Sequence, residues 1–231
     1  MNISLTRKIA ALAIATSAAV VPLATATYAN ATQPTAKTST FTAEVWADNW
    51  FALYVNGKKV GQDSVPITTE RSFNSEKITF TASYPLTVGI MGKDYTENAS
   101  GLEYIGTPKQ QIGDGGLIAQ IRDNKTGKIV AATNGSWKAL VISKAPLNPT
   151  CATSSNPTTD CKSSTSSEPK NWSAASYSTK GWSNASVYTA AEVGVKEGYN
   201  NISWDSSAQL IWGSDLKLDN TVLFRKTVSS S

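Results

Sequence analysis

The stretch FTAEVWADNWFALYVNGKKVG, residues 41–61, decides the fold because it contains two runs in which apolar side chains occupy every second position. In the first run these positions are Phe41, Ala43 and Val45, and the run at 51–55 repeats the pattern. A period of two places alternate side chains on opposite faces of an extended chain. The two runs therefore predict two half-buried β-strands.

Two turn signals divide this stretch. The polar pair Asp48 and Asn49 separates the two runs, and Asn56 with Gly57 follows the second run. Asparagine and glycine tolerate the positive φ angles that a tight hairpin requires. We therefore expect a break after the first strand and a hairpin after the second.

The same alternation continues along most of the chain. Residues 75–95 form two further apolar runs that are interrupted at Tyr84 and Pro85, and residues 115–143 form a hairpin pattern with a turn at 123–127. The C-terminal part ends in another alternating run, and no long helical period is present. The sequence thus predicts an all-β fold, an antiparallel β-sandwich whose last strand pairs with the early ones.

The first residues have the layout of a secretory signal peptide. Two basic residues precede the apolar run IAALAIATSAAVV, and Ala29 and Ala31 supply the small side chains that a signal peptidase requires. The run is shorter than the roughly 20 apolar residues that cross a bilayer, and no later segment comes closer. We expect residues 1–31 to be removed and the protein to be secreted or periplasmic, without membrane insertion.

The rest of the chain divides by composition. A polar leader at 32–39 precedes a single β-sandwich domain at 40–231, which contains a loop rich in Pro, Ser and Thr at 144–170. Cys151 and Cys161 lie within this loop, and in an oxidising compartment they predict a disulfide bond. Two thiols without any histidine cannot complete the usual tetrahedral zinc site.

The composition excludes several classes of function. The chain has no histidine, which removes Ser-His-Asp and Cys-His catalysis and histidine-ligated metals. Its 21 basic residues are scattered among 17 acidic ones, and a nucleic-acid-binding protein needs them clustered. We expect no nucleic-acid partner, and any catalysis would have to use carboxylates, lysine, tyrosine or hydroxyl groups.

Three segments resemble a known class of sandwich. Residues 47–61, 171–185 and 210–228 are similar to the Asp and Asn-Gly hairpin, the Trp and Gly-Trp segment, and the Trp and FRK strands of galactose-binding-domain-like modules, including lectin-like modules attached to glycoside hydrolases. The order of the segments differs, as in a circular permutation. VWADNW and GDGGLIAQI also resemble a family of secreted proteins with no assigned activity. The resemblance implies an antiparallel β-sandwich of the jelly-roll kind and, by analogy, glycan binding.

Aromatic side chains beside polar ones are the candidate ligand-binding residues, because sugars stack on rings while amides and carboxylates bind their hydroxyl groups. Trp46, Asp48, Asn49 and Trp50 form the first candidate site. The alternative is that these aromatic side chains pack beneath a loop. The later tryptophans, in segments rich in Ser and Ala, are interpreted as structural.

A second candidate site contains Asp94, Tyr95 and Glu97, in a loop region that also holds Glu103 and Asp114. Such carboxylates can ligate a structural Ca²⁺, although no tight calcium-binding spacing is present. Asp94 and Glu97 are also a candidate acid and nucleophile pair for glycoside hydrolysis. Solvated loop charges are the third alternative, and we expect no cofactor.

The glycine-rich GDGGL at residues 113–117 has two interpretations. Glycines can cradle a phosphate, but the motif lacks the Lys-Ser/Thr pair and the following helix of a phosphate-binding loop. A turn that leads into a strand is the preferred interpretation.

These observations favour an exported, non-catalytic protein that binds a glycan or an extracellular polysaccharide. The first alternative is an extracellular structural or protein-interaction module without sugar binding. The second is a carboxylate-dependent glycoside hydrolase or an accessory domain of one.

Overall fold

The computed structural model describes residues 38–229, so the expected signal peptide, residues 1–31, lies outside the described residues. The described chain forms fifteen strands and a few single helical turns, which confirms the all-β prediction. None of these helices is long and apolar enough to cross a membrane. The first strand begins at Thr38, inside the segment expected to be a leader.

The strands are β1 (Thr38–Asp48), β2 (Trp50–Val55), β3 (Lys58–Gln62), β4 (Asn74–Ser83), β5 (Leu86–Lys93), β6 (Leu102–Glu103), β7 (Gln111–Ile112), β8 (Gly116–Asp123), β9 (Ile129–Ala132), β10 (Lys138–Lys144), β11 (Ser164–Thr165), β12 (Ser183–Asn184), β13 (Ser186–Tyr188), β14 (Leu210–Trp212) and β15 (Asp219–Val228). The helical turns are α1 (Pro157–Asp160), α2 (Ala190–Val193) and two 3₁₀ turns, Pro149–Thr153 and Tyr199–Asn201.

Two antiparallel sheets contain all of these strands except β6 and β7, which pair with each other. Sheet I has the strand order β13-β14-β8-β1-β4, with β9 also paired to β8. Sheet II has the order β11-β10-β15-β5-β2-β3, with β12 also paired to β10. The chain passes from sheet I to sheet II at Asp48 and Asn49, where the sequence predicts a break.

Side chains from both sheets meet in one apolar core. Phe41 and Val45 of β1 and Phe51 and Leu53 of β2 are all fully buried in it. Removing a side chain of this size from water stabilises the folded state by roughly 1.5–3 kcal/mol. The alternation in the sequence therefore identifies the inward faces of β1 and β2.

The outer face of sheet I is covered by the segment between β13 and β14. Trp46 points away from the central core and is fully buried beneath this segment. Its indole Nε1 donates a hydrogen bond to the backbone oxygen of Glu197 at 2.9 Å, and its ring lies edge-on to Tyr199 with centroids 5.5 Å apart. Trp46 thus anchors the covering segment.

The outer face of sheet II is covered by the segment after β11. Trp172 and Trp182 pack on this face, and the Trp172 ring lies 5.3 Å from the Tyr54 ring. Arg225 of β15 donates from Nη2 to the backbone oxygen of Ala174 at 2.7 Å, which fixes the segment to the sheet. These tryptophans are structural, as the sequence predicts.

The hairpin between β2 and β3 turns at Asn56 and Gly57, as predicted. Their φ angles are +50° and +82°, a region that asparagine and glycine adopt most readily. The Asn56 amide also accepts from the Thr87 N–H at 2.7 Å and donates to the Ser83 oxygen at 3.0 Å. The turn residue therefore also ties the hairpin to the neighbouring β4–β5 connection.

The predicted disulfide bond joins Cys151 and Cys161 across a separation of 10 residues. The two half-cystines pack with Leu102 of β6, in a small apolar cluster separate from the main core. Gln110 donates from Nε2 to the backbone oxygens of Ala152 and Ser154, both at 2.8 Å. The disulfide loop thus supports the β6–β7 hairpin.

Removing a core side chain tests the two-sheet packing. Phe224 of β15 is fully buried and lies 5.9 Å from the Trp212 ring, so Phe224→Ala leaves a cavity that the neighbouring side chains cannot fill. We expect a loss of about 3–5 kcal/mol in the free energy of unfolding, measured by denaturant titration. Val187→Ala, at a side chain that is 43% exposed, is the control. A loss below about 1 kcal/mol for Phe224→Ala would contradict this packing.

Candidate functional site

A cleft of about 350 Å³ opens at the end of the two sheets where β1 passes into β2. We call it the loop cleft, because most of its walls come from loops that are distant in sequence. It combines two aromatic rings, three carboxylates, two cations and one amide. Its lining residues are Glu70, Arg71, Phe73, Glu103, Tyr104, Gln111, Lys196 and Glu197.

Three segments build the cleft. The β3–β4 loop brings Glu70 and Phe73, the β6–β7 hairpin brings Glu103 and Tyr104, and the segment after α2 brings Lys196. A capping box fixes the α2 turn. The Thr189 side chain accepts a hydrogen bond from the Glu192 backbone N–H, and the Glu192 side chain accepts one from the Thr189 backbone N–H. Lys196 follows closely after the end of this turn.

Lys196 connects the cleft to the buried carboxylates behind it. Its Nζ donates to Asp48 Oδ2 at 2.8 Å and to Asp114 Oδ1 at 3.0 Å. The same ammonium lies 4.6 Å from the centre of the Phe73 ring. One lysine therefore contacts a carboxylate at the end of β1, a carboxylate in the β7–β8 connection and an aromatic wall of the cleft.

The buried position of Asp48 changes the pKa of its carboxyl group. The residue is only 1% exposed. Burial raises the pKa of Asp48 to about 7, although the ion pair with Lys196 opposes this shift. The two nearby carboxylates Asp114 and Glu103 add to the increase in pKa. Burial thus outweighs the single lysine.

Asn49 joins three loops at the same end of the sheets. Its backbone N–H donates to the Lys93 oxygen at 2.9 Å, and its Nδ2 donates to the Glu70 oxygen at 3.0 Å. Its Oδ1 accepts from the Tyr95 N–H at 2.6 Å. Asn49 is 1% exposed, and because its backbone N–H and both polar atoms of its side chain are hydrogen-bonded, it positions the cleft wall that carries Glu70.

Asp94 lies behind the cleft and is 4% exposed. Its Oδ2 accepts from Asn220 Nδ2 at 3.2 Å, whereas its Oδ1 has no hydrogen-bond donor among residues 38–229. Burial, followed by the charges of Glu103 and Asp48, raises the pKa of Asp94 well above its ordinary value. Asp94 therefore belongs to one electrostatic group with the acids of the cleft.

Glu103 is the acid of this group that reaches the cleft. Its Oε2 accepts from Gln111 Nε2 at 3.1 Å across the β6–β7 ladder, and the residue is 4% exposed. Burial raises the pKa of Glu103, and the charge of Asp114 raises it further, while Gln111 and Lys196 lower it. A partly desolvated carboxylate of this kind is typical of a ligand-binding or catalytic position.

The glycines of GDGGL serve close packing behind the cleft. A Cβ atom at Gly113 would lie 2.6 Å from Asp94 Oδ2, and one at Gly115 would lie 2.3 Å from the Trp212 ring. Glycine is needed because the backbone approaches these groups too closely for any side chain. β8 begins at Gly116, so the motif is a turn that leads into a strand, as preferred from the sequence.

The first predicted site is divided by the structure. Asp48 and Asn49 lie immediately behind the loop cleft, whereas Trp46 is buried on the outer face of sheet I and does not line the cleft. Trp50 is half-buried on the outer face of sheet II, with Lys93 Nζ 5.4 Å and Lys59 Nζ 6.0 Å from its ring centre. The four residues do not share one surface.

The second predicted site is also divided. Asp94 is buried, Tyr95 is half-buried and hydrogen-bonded through its backbone to Asn49, and Glu97 is exposed. Glu97 Oε2 accepts from the Ile105 N–H at 3.4 Å, and none of the three predicted residues lines the loop cleft. Asp94 and Glu97 therefore do not flank a common space.

Most residues that line the cleft have no signal in the sequence. Phe73, Tyr104 and Lys196 stand alone in polar loops, and of the lining residues only Glu103 belongs to the acidic set noted above. In the described part of the chain, no three Asp, Glu or Cys side chains meet in an arrangement that could hold a metal ion.

Comparison of the chain with protein-family models, curated proteins and solved structures finds no match. The fold and the site therefore define the protein only by its architecture. It is an all-β protein with two main antiparallel sheets, a disulfide-supported loop region and a charged cleft at one end.

Removing Lys196 tests the ion-pair arrangement. In Lys196→Met, Asp48 remains buried without its counter-charge, so we expect a loss of roughly 3 kcal/mol in the free energy of unfolding at pH 8. Adding Asp48→Asn should recover much of this loss, because it removes the unpaired charge. Lys58→Met, at an exposed lysine of β3, is the control. Equal stability of wild type and Lys196→Met would contradict the arrangement.

The buried acids predict an unusual dependence of stability on pH. The folded chain raises the pKa of Asp48 to about 7 and that of Asp63 to about 6, both mainly by burial, and raises the pKa of Asp94 as well. Between the unfolded and folded pKa values, the folded state binds more protons, so its stability falls as pH rises. We expect the melting temperature to be higher at about pH 5 than at about pH 8.

Asp94→Asn separates the contribution of Asp94 to this pH dependence from the contributions of the other buried acids. The amide imitates the protonated carboxyl, so the variant should lose less stability than the wild type between about pH 5 and about pH 8. Glu97→Gln, at an exposed loop carboxylate, is the matched control. An unchanged pH slope in Asp94→Asn would show that Asp94 does not contribute.

Proposed function

We propose that this protein is an exported, non-catalytic carbohydrate-binding protein and that the loop cleft is its binding site. One observation carries the proposal: two half-buried aromatic rings, Phe73 and Tyr104, line the same open cleft as several hydrogen-bonding side chains. Sugar rings present apolar C–H faces and polar edges, and they need both kinds of group in one place.

The shape and polarity of the cleft support a small polyhydroxylated ligand. A volume of about 350 Å³ lies at the lower end of the range for small-molecule sites. The amide of Gln111 and the carboxylates of Glu70 and Glu103 are hydrogen-bonding groups of the kind that orient hydroxyl groups.

The sequence resemblance supports the same proposal. The segments similar to galactose-binding-domain-like modules form β2 with its hairpin, the tryptophan-bearing segment over sheet II, and β14 with β15. A jelly-roll sandwich of that class, in a permuted order, is the finer description that we propose for the fold. The disulfide bond supports export, because such bonds persist in oxidising compartments.

Substitution of Tyr104 tests the site. With a panel of neutral oligosaccharides and calorimetry, we expect at least one ligand whose affinity falls about tenfold or more in Tyr104→Ala, because the stacking surface is lost. Tyr104→Phe keeps the ring and should stay within about threefold of wild type.

Trp50→Ala is the matched control, because it removes an aromatic side chain that does not line the loop cleft. Loss of binding in Trp50→Ala with full binding in Tyr104→Ala would move the site to the outer face of sheet II. A panel without any ligand, together with a protein partner captured from the exported fraction, would favour the interaction module instead.

A further inference from the structure

The cations of the loop cleft are already engaged with carboxylates. Lys196 lies between Asp48 and Asp114, at 2.8 and 3.0 Å. The guanidinium of Arg71 lies 2.8 Å from Glu197, in a pair whose side chains are both 64% exposed. Neither cation is therefore unopposed in the cleft.

Two carboxylates of the cleft have no such partner. Among residues 38–229, neither Glu70 nor Glu103 forms an ion pair. Glu103 uses Oε2 for the hydrogen bond from Gln111, and no donor in the described chain binds its Oε1. An oxygen of an almost buried carboxylate thus remains available at the cleft wall.

The surroundings of Glu103 increase the negative potential. The charges of Asp48 and Asp114 lie close enough to interact with that of Glu103, and Lys196 is the cation that Asp48 and Asp114 share. A charge in such a partly desolvated place is screened less than one in water, so an opposite charge on a ligand gains more there.

The aromatic rings of the cleft already attract ammonium groups. Lys196 Nζ lies 4.6 Å from the centre of the Phe73 ring, and the exposed Lys109 places its Nζ 6.0 Å from the centre of the Tyr104 ring. The negative face of an aromatic ring attracts cations at such distances. The aromatic walls of the cleft and its carboxylates therefore both favour a positively charged group.

We propose that the loop cleft selects glycans that carry a free, protonated amino group. This inference rests on the proposed carbohydrate-binding function and specifies its ligand. The ammonium donates to Glu103 Oε1 and lies near Glu70, while the sugar ring packs against Tyr104. An N-acetylated sugar keeps the ring but loses the charge, and a uronic acid brings a carboxylate towards two unpaired carboxylates.

The test compares three oligosaccharides of equal length with the full chain: one of glucosamine units, one of N-acetylglucosamine units and one that contains uronic acid. Affinities are measured by calorimetry at neutral pH and low salt, with a chelator present so that no metal ion competes for the carboxylates. We expect the glucosamine oligosaccharide to bind about tenfold or more tightly than the acetylated one, and the uronate to bind most weakly. Added salt should reduce the difference.

Glu103→Gln identifies the residue responsible. The variant should lose the preference for the free amine, so that its affinities for the glucosamine and the acetylated oligosaccharides lie within about threefold of each other. Glu97→Gln, which removes an exposed carboxylate outside the cleft, should keep the preference. A thermal melt shows whether Glu103→Gln is folded. If it is not, the affinities of wild type and of Glu70→Gln for the three oligosaccharides decide whether the cleft selects the free amine.

The outcomes separate the two proposals. Binding of the acetylated oligosaccharide without any preference for the amine overturns the selectivity and leaves carbohydrate binding in place. Tighter binding of the uronate would assign selectivity to Arg71 and also overturn the inference. Absence of binding to all three, and to the neutral panel, overturns both proposals.

Discussion

The passage of the chain from one sheet to the other at Asp48 and Asn49 is the constraint on which the rest of the structure depends. Apolar side chains at alternate positions on both sides of this point face one core, so β1 and β2 must lie in opposite sheets. The connection itself then lies at the end of the sheets and is buried. Its polar side chains need partners there, and the loops that supply them, with Lys196 and Glu70, also form the cleft.

The local parts of this structure could be predicted from the sequence. Strand alternation, the Asn56 and Gly57 turn and the disulfide bond depend on neighbouring residues, and all are confirmed. The site could not be predicted in the same way, because it joins residues far apart in the chain; Arg71 and Glu197 are 126 positions apart. Alternation places Trp46 on an outer face but carries no information about the segment that covers it.

The buried acids show a balance between stability and recognition. Burial of Asp48, Asp94 and Glu103 at one end of the sheets, together with repulsion among the acids there, raises their pKa values, so folding disfavours their charged forms. Lys196 offsets part of this cost by binding two carboxylates. The carboxylates of the cleft that have no cation beside them leave a negative potential there. The positively charged ligand proposed above would neutralise it.

The position of β15 has a consequence for how the chain reaches its folded state. This strand, close to the C-terminal end of the sequence, lies inside sheet II between β10 and β5, and β1 lies inside sheet I between β8 and β4. Sheet II is therefore divided into two unpaired halves until residues 219–228 have left the ribosome. A chain with such long-range pairing closes slowly and late, because the two halves of sheet II can only join once this strand is present.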